Sequence, residues 1–186
     1  MTDQTNSLGQ IKKRAAYAFI TLVGRKIFLR AISFVTINII LARLLPVETL
    51  GIFNIAAAII TFFAFFSDIG LAGALIQKKE SIVPEDIKTT FTIQQLLVGF
   101  LSLLIFFLAP FLAEFYKLDN SGMWLIRILA ISFFLSSLKV VPSVLLERDL
   151  RFTPLVTVEI IETFVFNFLL IILVIQGFGI WSFSWA

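Results

Sequence analysis

The residues able to do chemistry in this chain are charged side chains set inside apolar runs. Among its 186 residues there is no cysteine and no histidine, so disulfides, Cys or His metal sites and catalytic dyads using either residue are excluded. What remains is Arg25, Lys26 and Arg30 in the first apolar stretch, Asp68 in the second, Lys139 in the fourth, and Glu159 with Glu162 in the fifth. Ionisable groups at such positions are expensive to desolvate, which makes each a candidate for substrate contact or charge pairing. At about 100° per residue, Arg25, Lys26, Arg30, Ser33, Thr36 and Arg43 fall within an arc of roughly 140°. Phe28, Ile32, Val35 and Ile39 take the opposite side. A polar stripe of this length predicts a helix face turned from lipid toward a bundle or a wet cavity. Glu159 and Glu162, three residues apart, share a face, so both signs of charge are available for pairing, and the simplest account has these carboxylates neutralise Arg148 or Arg151 near the interface. For Lys26 and Lys139, snorkelling to the headgroups is an equally simple account, whereas Arg30 sits near mid-span.

These side chains need elements that cross a membrane. The chain is 59% hydrophobic with 22 Phe, and its 15% charged residues gather between the apolar runs. Five runs, at about 17–44, 50–77, 89–113, 123–146 and 154–176, reach the roughly 20 residues that a spanning helix needs. Pro46, Pro84, Asn120 with Gly122, and Pro154 punctuate the connections, all too short for a soluble domain. After Gln176, Gly177–Gly179 and the run to Ala186 look like the start of a sixth span. The expected fold is thus an all-α integral membrane bundle of five transmembrane helices plus the start of a sixth. It forms one membrane domain, 1–186, read as an incomplete piece of a larger protein. Lys12, Lys13, Arg14, Lys78, Lys79, Lys88, Arg148 and Arg151 flank one side, against Arg43 and Lys117 on the other. That bias places the N terminus in the cytoplasm. The net charge of +3 therefore reads as membrane orientation and not as nucleic-acid binding. Gly70 and Gly73 permit close packing, and Pro142 weakens the fourth helix.

Several segments together carry a resemblance. Ile40-Leu41-Ala42-Arg43-Leu44-Leu45-Pro46 with Leu50-Gly51, Phe66-Ser67-Asp68-Ile69-Gly70-Leu71, and Ala74-Leu75-Ile76-Gln77-Lys78-Lys79-Glu80 are followed by Leu146-Glu147-Arg148-Asp149-Leu150-Arg151-Phe152 and Gly179-Ile180-Trp181-Ser182. In order and spacing they resemble the first half of polysaccharide flippases of the multidrug/oligosaccharidyl-lipid/polysaccharide exporter superfamily. The resemblance implies a bacterial inner-membrane transporter of twelve to fourteen helices in two related halves. It would move a polyprenyl-diphosphate-linked oligosaccharide by alternating access, for lipopolysaccharide, capsule or exopolysaccharide synthesis. On that reading Arg25, Lys26 and Arg30 contact the diphosphate, and Asp68, Lys139, Glu159 and Glu162 serve charge pairing or ion coupling. Neither a cofactor nor a metal is called for. The partners expected are the lipid-linked oligosaccharide, membrane lipids and other polysaccharide-assembly proteins. A small-molecule exporter of the same architecture and a non-transporting scaffold are the alternatives, and the short loops disfavour an enzyme of the pathway.

Overall fold

Prolines and short polar side chains set the helix boundaries. The computed structural model describes residues 27, 29–67, 75, 83–149 and 151–186, and every regular element among them is helical. In the first helix, α1, residues 29–35 are α-helical, Thr36–Leu41 are wound as π-helix, and Ala42–Leu44 return to α. Leu45 is extended (φ −113°, ψ 147°), as the ring of Pro46 demands of the residue before it. The Pro46 carbonyl then accepts from the amides of Thr49 (3.0 Å) and Leu50 (3.4 Å), opening α2, Val47–Ser67. Pro84 occupies the first position of α3, Pro84–Phe115, where its missing N–H costs nothing. The Val83 amide donates to the Asp86 carboxylate (3.1 Å), and Glu85 and Asp86 complement the positive helix end.

At the far end of α3, Lys117 takes a left-handed conformation (φ 54°). The Lys117 amide bonds the Glu114 carbonyl (3.0 Å) and the Leu118 amide bonds that of Ala113 (2.8 Å), a Schellman stop built without glycine. Asp119 caps α4, Asn120–Ser137, by accepting from the Gly122 amide (2.9 Å). After a break at Leu138 and Lys139 the path continues as α5, Val140–Arg148, and then α6, Phe152–Ile175. Gly177 (φ 86°) ends α6 with a second Schellman pair, before a 3₁₀ turn, Gly179–Trp181, and the short α7, Ser182–Trp185.

Four helical segments are long and apolar enough to cross a membrane: α2, α3, α4 with α5, and α6. They fall on the second to fifth runs of the sequence. The first run, 17–44, is described at 27 and 29–44, where it forms α1, and α7 begins where a sixth span is anticipated. Three boundaries differ from the sequence reading. α3 starts at Pro84 instead of 89, because proline initiates the helix well before the hydrocarbon begins. Asn120 and Gly122 lie inside α4 instead of ahead of it, because Asp119 supplies the cap. The interruption of the fourth span sits one turn before Pro142, whose absent N–H leaves the Leu138 carbonyl without its helical donor and whose ring crowds it.

The main core joins Ala56 and Ile59 of α2, Ile105 and Ala109 of α3, Leu125, Ile126 and Ala130 of α4, and Leu170 and Val174 of α6. Small residues let these backbones approach. Among the described glycines Gly122 is the tightest, where a Cβ would stand 2.8 Å from Leu118 Cβ and 3.1 Å from Ile52 Cγ2. The Phe183 ring stacks on Phe53 at 4.0 Å and ties α7 to α2. At the other end of the helices a smaller cluster holds Leu75, Val141 and Val144 with Ile87 and Phe91. Large apolar side chains such as Phe62, Phe65, Phe107 and Phe111 point outward, as they do where the solvent is lipid.

Candidate functional site

The break between α4 and α5 positions the clearest charged contact. Lys139 stands at the break itself, and its ammonium donates to both carboxylate oxygens of Glu162 on α6, at 2.7 and 2.5 Å. The two side chains are 54% and 49% exposed, so the pair lies on the bundle surface and not in its core. Two of the residues singled out for charge pairing are thereby joined. Glu162 meets Lys139 instead of Arg148 or Arg151, as one sequence reading had it. The carbonyl of Glu159, one turn earlier on α6, accepts from the Thr163 hydroxyl (2.8 Å).

Polar ties surround this region. The Arg148 guanidinium donates to the Leu75 carbonyl (2.5 Å), fastening α5 to the segment that follows α2. Gln94 Nε2 donates to the Ser67 carbonyl (3.3 Å), and the Ser137 hydroxyl lies 3.0 Å from Gln95 Oε1. Asn167 Nδ2 donates back to the Thr163 carbonyl (2.7 Å). Each tie lets a polar residue sit at an apolar interface with a hydrogen bond made.

Of the three cations placed in the first span, Arg30 is described, and its side chain is exposed on α1. Arg25 and Lys26, and likewise Asp68 in the second span, lie outside the described residues. Thr36 of the polar stripe is buried while Arg43 is exposed. The stripe does not keep one environment: Arg30 is exposed within the regular turns, and the i→i+5 bonding of Thr36–Leu41 changes the angle per residue beyond Val35.

Arg127 is the ionisable span residue that sequence reasoning missed. It sits seven residues into α4, about 10 Å along the axis from Asn120. Its Nε donates to the Phe106 carbonyl of α3 (3.4 Å), and its Cζ lies 5.1 Å from the Phe106 ring centre and 4.9 Å from that of Trp124. Pro110, inside α3, explains the acceptor: four residues after Phe106, it has no N–H to give that carbonyl. A proline in one apolar run and an arginine in the next was the available signal.

A cavity of about 530 Å³ opens at the same end of the bundle, between the Pro46 turn and the Lys117–Asp119 turn, with Glu48, Thr49 and Ser121 on its walls. No cluster of carboxylates suited to a metal occurs among the described residues. The chemistry on offer is ion pairing and anion contact.

A family model described as "polysaccharide biosynthesis protein" matches residues 40–186. The match takes in Arg127, Lys139, Glu159 and Glu162, while Arg25, Lys26 and Arg30 precede it. No curated protein and no solved structure matches the chain. With most of its length matched, the chain belongs to the polysaccharide biosynthesis protein family. Its role lies in polysaccharide synthesis or transport, and its four apolar helices are those of a multi-pass membrane protein.

Proposed function

We propose that this member of the polysaccharide biosynthesis protein family forms part of a transporter. Its cargo is a polyprenyl-diphosphate-linked oligosaccharide, carried outward across a bacterial inner membrane by alternating access. The family supports the sugar, and four apolar helices joined by short connections support passage through the bilayer rather than catalysis on a soluble domain. The observation that carries the reading is Arg30, a permanent cation exposed on the side of α1 within an apolar run. Crossing hydrocarbon strips a diphosphate of its water, and a guanidinium returns part of that stabilisation as paired, charge-assisted hydrogen bonds. Arg25 and Lys26, up to five residues earlier in the same run, would add to the same anion site.

The Lys139–Glu162 pair and Asp68 are then the groups whose partners change as the cavity opens from one side to the other. The pair ties the α4–α5 break to α6, so a change of angle at the break alters its length. Membrane lipids and other assembly proteins complete the surroundings. The test is lipid-linked oligosaccharide flipping by the full-length protein in vesicles, comparing Arg30→Ala and Arg30→Lys at matched membrane abundance. Arg30→Ala should lose transport at least tenfold, with partial retention in Arg30→Lys. Unchanged transport in Arg30→Ala removes the diphosphate assignment, and flipping of the lipid by membranes lacking the protein altogether at the same rate removes the transporter reading.

A further inference from the structure

We propose that the outward face of α3 and α4, at the Asp119 end, holds one phosphoglyceride molecule, with its phosphate on Arg127 and an acyl chain in the groove beneath.

The groove follows from two facing stripes. Trp124, Arg127, Ile131 and Phe134 recur at helical spacing on one face of α4, and Gly99, Leu103, Phe106 and Pro110 recur likewise on α3. Between them lies an apolar groove of about 310 Å³ whose walls include Gly99, Leu103, Phe106, Ala130, Ile131 and Phe134. From Phe106 to Gly99 it runs about 10 Å along the helix axis, toward the bilayer centre. Its floor is set at Gly99, where the absent side chain admits the Phe134 ring to 3.5 Å of the Cβ position. Leu103 and Ile131 are 60% and 51% exposed, so the groove opens to the lipid side.

Arg127 closes the upper end. Of its five N–H donors, Nε–H is used on the Phe106 carbonyl, and the ring faces of Phe106 and Trp124 hold the guanidinium plane. Among the described residues no carboxylate forms an ion pair with it. A guanidinium about 10 Å inside a spanning helix, with donors left over, is stabilised by an anion arriving at the same depth. Side chains on a helix lean toward its N terminus, which for α4 is the Asp119 end, so the cation is presented at headgroup level, beside an exposed tryptophan. An anion attached to an apolar chain fits both parts, and free phosphate fits one.

The test is native mass spectrometry of the delipidated full-length protein, titrated separately with dioleoylphosphatidylglycerol, dioleoylglycerol, undecaprenyl phosphate and inorganic phosphate. Phosphatidylglycerol should bind at least tenfold more tightly than dioleoylglycerol. Arg127→Gln should remove that advantage, Arg127→Lys should keep part of it, and inorganic phosphate should show no saturable binding. Ile131→Trp fills the groove from an exposed position and should weaken phosphatidylglycerol binding severalfold, keeping the proposal testable if Arg127→Gln does not fold. Equal binding of the two glycerolipids, or wild-type binding in both Arg127→Gln and Ile131→Trp, overturns the site. Undecaprenyl phosphate binding tenfold more tightly than phosphatidylglycerol overturns the choice of occupant.

Discussion

Losing Lys139 and Glu162 together should cost less than the two single losses added. In the structure one ammonium meets both oxygens of one carboxylate, at 2.7 and 2.5 Å, with each side chain about half exposed at the bundle surface. If that surface were bathed in water, the pair would contribute about 0.2–1 kcal/mol. Against lipid, an unpaired charge costs up to about 3 kcal/mol at mid-bilayer and less toward the interface. Lys139 stands 19 positions after Asn120, about 28 Å along the axis, close to the far interface, where an orphaned charge costs about 1 kcal/mol. Lys139→Met and Glu162→Gln should therefore each destabilise by about 1 kcal/mol, and the double variant should recover about 1 kcal/mol of the sum. The measurement is a double-mutant cycle in reversible SDS-driven unfolding of the full-length protein in mixed micelles. Additivity to within about 0.5 kcal/mol would refute the argument, since it would mean that each charge finds its own solvation.

Three further outcomes follow from local geometry. Gly122→Val places carbon where Leu118 and Ile52 already stand and should cost about 1–3 kcal/mol in the same unfolding assay. Lys117→Gly relieves a left-handed non-glycine residue at the Schellman stop and should stabilise by about 1 kcal/mol, without changing the helical circular-dichroism signal. Pro142→Ala restores a donor for the Leu138 carbonyl, so spin labels at the exposed positions Ile131 and Glu147 should show a changed, narrower distance distribution in pulsed electron resonance; an unaltered distribution would assign the break to Lys139 packing instead.

Much of this fold is legible in the chain because lipid simplifies the pattern: a long apolar run bounded by Pro46, Pro84 or Asp119 has few options besides a spanning helix. The candidate charges were legible for the same reason, since Lys139 and Glu162 stand out in apolar surroundings. Their pairing was not, because 23 residues and a change of helix direction separate them, and residue spacing alone does not give the angle at a break. Gly122 illustrates a different failure. As a residue type it signals a turn, but here its lack of a side chain serves an approach between α4 and α2, which only the third dimension reveals. Arg127 was hidden because its significance depends on a carbonyl released by Pro110 on another helix. The π-wound turn at Thr36–Leu41 carries no residue that announces it, and it moves Arg43 off the face calculated for a regular helix.

The two ends of the bundle are held by different forces, which bears on where a transporter of this kind would open. Toward the Asp119 end, α2, α3, α4 and α6 share one continuous apolar core, closed by the tight approach at Gly122 and the stacked rings of Phe53 and Phe183. Toward the Pro84 end the apolar cluster among the described residues is small, and the described contacts between helices there include polar ties: Gln94 to Ser67, Arg148 to Leu75 and Lys139 to Glu162. Separating packed apolar side chains forfeits many dispersion contacts at once, whereas a polar tie can be exchanged for another donor, water or a charged ligand at nearly constant free energy. That end is also where the fourth span is interrupted, and on the topology expected from the charge bias it faces the cytoplasm. On the proposed transport reading, an anionic cargo entering there would compete with Glu162 for Lys139, so its binding and the loosening of that contact would be one and the same event.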